Sequence, residues 1–141
     1  MPYDPPIQYA EITFCFDWDF PVEQLNQQIG LEAADIKRQR ETRVNPQTQK
    51  KNPGYWTYLT PKFLTYDTAL LFAYLKATFA EYGERFEQVL QTYKPCGMYI
   101  NIICLIQHED EYPILRMDPE LLALFSSFSA TVDIVVESDY I

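Results

Sequence analysis

Residues 66–93 constrain this chain more than any other stretch. There Leu71, Leu75, Phe79, Tyr82, Phe86, Val89 and Tyr93 recur at gaps of three and four residues, the spacing of one face of an α-helix. Leu70, Phe72, Ala73 and Tyr74 widen that face in its first half. A helix this one-sided needs an apolar surface to lie on. The segment GMYINIICLI at 97–106 follows at once and is apolar on both faces at its end, the mark of a central strand. Together they predict a helical wall with a sheet packed against it. One helix over 66–92 would run roughly 40 Å at about 1.5 Å per residue. That slightly exceeds the diameter of about 37 Å expected for a globular chain of this size. Gly83 is therefore the expected kink, giving two helices on one stripe.

The other elements follow from punctuation. Residues 1–7 hold three prolines and are expected to be a flexible arm, with 8–141 forming a single domain. Residues 9–16 alternate around Ile12, Phe14 and Phe16 and predict a strand. Pro21 suits the first turn of a short helix ending at Ile29, and Gly30 suits its terminator. Residues 35–44 are extended but broken up by Lys37, Arg38, Arg40 and Arg43, as in a charged edge strand. Residues 45–53 form a loop. GYWTYL at 54–59 is the next strand, and Thr60-Pro61 breaks its ladder. After the central strand come an acidic turn at 108–112 and a short strand at 113–116. Asp118 then caps a helix that begins at Pro119 and ends near Phe128. The last strand covers 130–137.

This order predicts an α+β domain with a mixed, mostly antiparallel sheet and helices packed on one face. Its first six elements have the ferredoxin-like βαββαβ order, and a βαβ extension follows. The spacing from Pro21 to Asp35-Ile36 equals that from Pro119 to Asp133-Ile134, a faint internal repeat.

Composition narrows the function classes. The net charge is −9, which repels nucleic acid and anionic membrane and favours a basic partner. Eleven tyrosines suit core rims and interfaces. Cys15, Cys96 and Cys104 are odd in number and lack a CxxC pair, as expected of reduced thiols in a cytoplasmic protein. The start of the chain shows no secretory pattern, and no apolar run is long enough to span a membrane.

Chemical signatures are sparse. Lys37, Arg38, Arg40, Arg43, Lys50 and Lys51 make up six of eleven basic residues. On a hairpin ending in Tyr55 and Trp56 they would form an anion-binding face, or else a solvated edge. Trp18 between Asp17 and Asp19 stands at a strand-to-helix turn, where sites often lie. The HEDE run from His108 lacks the spacing of a zinc motif. No phosphate-cradling glycine loop or nucleophile elbow occurs. No cofactor, metal or catalytic residue is expected.

Several stretches together resemble a bacterial family catalogued only as domain of unknown function 4279. They are Pro21-Val22-Glu23-Gln24-Leu25 after the first strand, Ile29-Gly30-Leu31-Glu32, and the basic run from Arg38 to Arg43. Trp56 within GYWTYL, the helical segment 66–92, and Leu121-Leu122-Ala123-Leu124 followed by Ala130-Thr131-Val132-Asp133-Ile134 complete the set. The resemblance spans nearly the whole chain after about residue 8. It implies a compact bacterial α+β domain and carries no catalytic residues.

The expected function is binding to another protein without catalysis. A toxin-neutralising immunity protein is one concrete form, with Asp17, Asp19, Glu109, Asp110 and Glu111 among the acids that would mask a basic toxin. The alternative is a sensor of small anionic ligands using Arg38, Arg40, Arg43 and Trp56. An enzyme is the least favoured class. Either monomer or homodimer fits the sequence.

Overall fold

Alternation in the first strand sets the whole sheet. In the computed structural model, which describes residues 4–109 and 112–138, β1 (Ile7–Phe16) buries every second side chain: Gln8, Ala10, Ile12, Phe14 and Phe16. The other strands are β2 (Asp35–Lys37), β3 (Gly54–Leu59), β4 (Phe63–Leu64), β5 (Gly97–Ile106) and β6 (Thr131–Ser138). The helices are α1 (Val22–Ile29), α2 (Ala69–Thr92) and α3 (Pro119–Ser127). The sheet runs in the order β2-β3-β1-β5-β6, and β4 pairs with the start of β1. All neighbours are antiparallel except β5 and β6. α1 carries the chain from β1 to β2 with β3 inserted between them, which is the split βαβ arrangement of a ferredoxin-like sheet. α3 then adds β6 in parallel beyond β5, and the protein is an α+β fold.

Register carries the apolar face across the strands. Phe14 pairs with Trp56 on one side and Met98 on the other, and Ile12 pairs with Ile100. Leu71, Leu75, Phe79, Phe86 and Val89 of α2 pack on this face, joined by Leu25 and Ile29 of α1 and Leu121 and Phe125 of α3. The Phe79 ring lies 5.2–5.3 Å from those of Phe86, Phe125 and Phe128, tying α2 to the α3 end. Each such side chain contributes about 1.5–3 kcal/mol by leaving water.

α2 does not break at Gly83. It begins at Ala69 because Asp67 bridges to Ile114 and the Thr68 hydroxyl bonds to the Arg116 carbonyl. Its 24 residues span about 36 Å, so the length argument for a kink falls away. One helical glycine costs about 1 kcal/mol, less than the burial of Phe79 and Phe86 on either side of it returns.

The polar edge strand is also shorter than expected. Pairing stops at Lys37, a 3-10 turn occupies Gln39–Glu41, and only an isolated Val44–Lys51 bridge follows. Gly54 explains how the edge is held. A Cβ at this position would stand 2.4 Å from the Lys37 carbonyl oxygen and 2.6 Å from the Gln39 nitrogen, so the edge backbone rides directly over it.

The expected short strand at 113–116 is a single bridge at Ile114. The ladder broken at Thr60-Pro61 resumes as β4 with its register moved by one residue, a bulge. The Thr60 hydroxyl accepts the Ala10 N–H at 2.9 Å. Residues 4–7 of the expected arm are docked. Gln107 Nε2 donates to the Pro5 carbonyl at 2.7 Å, and the Thr65 N–H donates to that of Pro6 at 3.0 Å. Residues 1–3 of that arm lie outside the described residues, as do Asp110 and Glu111 of the acidic turn.

Candidate functional site

All three helices contribute to the core beside Ile12 and Phe14, so the opposite sheet face carries no helix among the described residues. The odd-numbered positions of β1 open onto it: Tyr9, Glu11, Thr13 and Cys15. Register adds Asp35 from β2 and Tyr55 and Thr57 from β3. On the other side it adds Tyr99 and Asn101 from β5 and Asp133 and Glu137 from β6. Two shallow hollows meet at Glu11. One, of about 430 Å³, is bordered by Thr13, Cys15, Asp35, Tyr55 and Thr57. The other, of about 470 Å³, is bordered by Tyr9, Asn101, Asp133 and Glu137.

Charge on this face bears on Glu11 and Tyr9. Burial, then the charge of Asp35, lifts the Glu11 carboxyl above its ordinary range. Burial, then Glu11 and Glu137, lifts the Tyr9 phenol. Tyr55 Oη donates to Asp35 Oδ2 at 3.0 Å, and the Thr13 and Thr57 hydroxyls bond across the strands at 2.9 Å. Lys62 Nζ lies 5.5 Å from the centre of the Tyr9 ring, so one cation already rests on an aromatic of this face. The face can therefore hold positive charge by carboxylate contact and by tyrosine rings together.

The six residues singled out from the sequence are scattered. Trp56 is fully buried, and its Nε1 donates to Asn26 Oδ1 at 2.8 Å. It belongs to the core and not to a binding surface. Trp18 stays 39% exposed, with its Nε1 donating to the Tyr93 carbonyl at 3.0 Å. Arg38 pairs with Glu41 at 3.1 Å and borders a groove against Pro21, Val22 and Gln24 of the α1 start. The Arg40 N–H donates to Asp19 Oδ1 at 2.9 Å, and its guanidinium stands 4.0 Å from the same carboxylate. Arg43 and Tyr55 share a small hollow with Lys37 and Asn52. The structure thus joins Arg43 to Tyr55 and aims Arg38 elsewhere.

Tyr9, Glu11, Tyr99, Asp133 and Glu137 are not among the site residues read from the sequence. Their signal was the polar half of strands whose apolar half announced the core.

The thiols are not poised for nucleophilic attack. Burial, then neighbouring Cys96, pushes Cys15 up to about 11. Burial, then Asp17, raises Cys96, and burial alone raises Cys104. No group of three or more His, Cys, Asp or Glu side chains is placed to hold a metal among the described residues. No helix among them is long and apolar enough to cross a membrane. Compared with known protein families, curated proteins and solved structures, the chain matches none.

Proposed function

We propose that this chain is a non-enzymatic binding domain of the cytosol that docks a basic partner protein on its uncovered sheet face. The observation that carries this reading is the placement of Glu11, Asp35, Asp133 and Glu137 among Tyr9, Tyr55 and Tyr99 on a face that no helix covers among the described residues. Carboxylates supply attraction and steering, and the net charge of −9 extends that field beyond contact distance. Tyrosine rings supply rigid apolar area and seats for Arg or Lys at about 0.5–1 kcal/mol each when exposed. Tyrosines on a sheet also suit stacked bases, but four carboxylates beside them repel phosphate. A toxin-neutralising immunity protein, masking a basic toxin site, is the form that best fits these features. The small-anion reading loses support because Arg38 and Arg40 have local acidic partners and Trp56 is buried.

Calorimetric titration with an oligo-arginine peptide tests the face. Binding is expected, and it weakens as salt is raised. The Glu11→Gln/Asp133→Asn double variant is expected to lose about five- to tenfold in affinity, since each partly exposed charge pair is worth up to about 1 kcal/mol. Undiminished affinity in that variant, with loss instead on neutralising the exposed Glu84 and Glu87 of α2, would move the site off this face.

A further inference from the structure

The two edges of the sheet are built to different rules. β2 is three residues long, sets Asp35 and Lys37 around Ile36, and gives way to a 3-10 turn. Short charged edges resist strand addition. β6 runs eight residues, TVDIVVES, and pairs on its β5 side alone among the described residues. Its Ile134 and Val136 are 43% and 46% exposed, while their β5 neighbours Ile102 and Cys104 are sealed at 1%. A long, β-branched edge with a free row of backbone donors and acceptors is a template for another strand.

We propose that β6 pairs antiparallel with β6 of a second copy, about a two-fold axis through Ile134. Residues directly opposite in an antiparallel pair share a face, so the axis passes through a residue and not between two. An axis through Asp133 sets one carboxylate against its own copy. An axis through Val135 sets Asp133 against Glu137, twice. The axis through Ile134 places Ile134 on Ile134 and Val132 on Val136 along the helix side. On the open side it places Thr131 beside Glu137 and Asp133 beside Val135. No acid then faces an acid, and seven of the eight strand residues pair, against five for an axis through Val136 and three for one through Val132. This self-complementarity selects a second copy over an unrelated peptide as the occupant.

The inference stands apart from the open-face reading and has the opposite salt dependence. Each chain carries −9, so screening strengthens association between copies but weakens docking of a basic partner. Sedimentation of the full chain over a concentration series is expected to show the mass moving from 16.6 kDa to twice that value, with tighter association at higher salt. Ile134→Lys puts two ammonium groups at the axis and is expected to weaken association at least tenfold with the fold retained, since the side chain is already half-exposed. In a Cys96→Ser background, Ile134→Cys is expected to form a disulfide between copies under mild oxidation, while Val132→Cys does not. A chain that stays at 16.6 kDa throughout overturns the proposal. So does a dimer indifferent to Ile134→Lys, or a monomer whose edge accepts only the oligo-arginine peptide.

Discussion

Glu11 stands where the two hollows of the open face meet, and its carboxyl is held above its ordinary range by burial and by Asp35. The folded protein therefore binds that proton more tightly than the unfolded chain does. Ionising Glu11 costs stability, and the cost sets in as pH rises from the ordinary carboxylate value through the raised one and persists above it. Glu11→Gln is expected to melt at a higher temperature than the parent at pH 7, with the difference shrinking as pH falls through that window. A variant that melts lower at pH 7 would make the carboxylate a support of the sheet. Such a residue was hard to read from sequence because GYWTYL carries large side chains on both faces. Whether Tyr55 or Trp56 points inward depends on pairing with Phe14, a partner forty-two positions away in the chain. Once register puts Trp56 inside, Tyr55 faces out with Asp35, and the polar set of β1 becomes the exposed one.

At the scale of elements, helix periodicity was the most legible signal, because a stripe such as Leu71, Leu75 and Phe79 is local and needs no partner to define it. The bounds of β3 and β5 were equally plain, since Gly54, Pro61, Gly97 and the polar Gln107 punctuate them. Gly83 and the basic run were misjudged for a shared reason: both outcomes are decided by neighbours distant in sequence. Among the described residues, the Gly83 position meets only Phe128 Cζ, at 3.6 Å from where a Cβ would sit, an ordinary contact. Gly83→Ala is thus expected to stabilise the protein by about 0.5–1 kcal/mol through the backbone freedom it removes from the unfolded chain. Denaturant titration measures this, and a destabilisation would restore a need for flexibility at mid-helix. The basic run looked like one long edge strand because Lys37, Arg38, Arg40 and Arg43 interrupt any apolar face along it, as charge does on a protected edge. The backbone passing over Gly54 and the Arg38–Glu41 pair fold it into a turn instead, and the arginines separate.

Across the whole molecule, the core and the open face draw on the same strands in opposite ways. One set of alternate positions buries Ile12, Phe14, Ile100 and Ile102 beneath the helices, and the other gathers acids, of which Asp35 opposes Glu11. Asp35 and Asp133, matched in the internal spacing read from sequence, occupy the two rims of that face, on β2 and β6. Lys37 and Lys62 share this face but leave Glu11 and Asp35 opposed, and like charges held together reduce stability, so their presence is better explained by binding than by folding. The Asp35→Asn/Asp133→Asn/Glu137→Gln variant tests that trade. It keeps an acceptor for the Tyr55 hydroxyl at position 35 and removes three charges. At low salt it is expected to be as stable as the parent or more so, by up to about 1 kcal/mol. That gain should vanish as salt screens charges beyond about 10 Å near 0.1 M. Its affinity for oligo-arginine should fall by about tenfold. A loss of stability greater than about 1 kcal/mol would instead mean that the acids hold the sheet together, and the uncovered face would have to be understood as architecture.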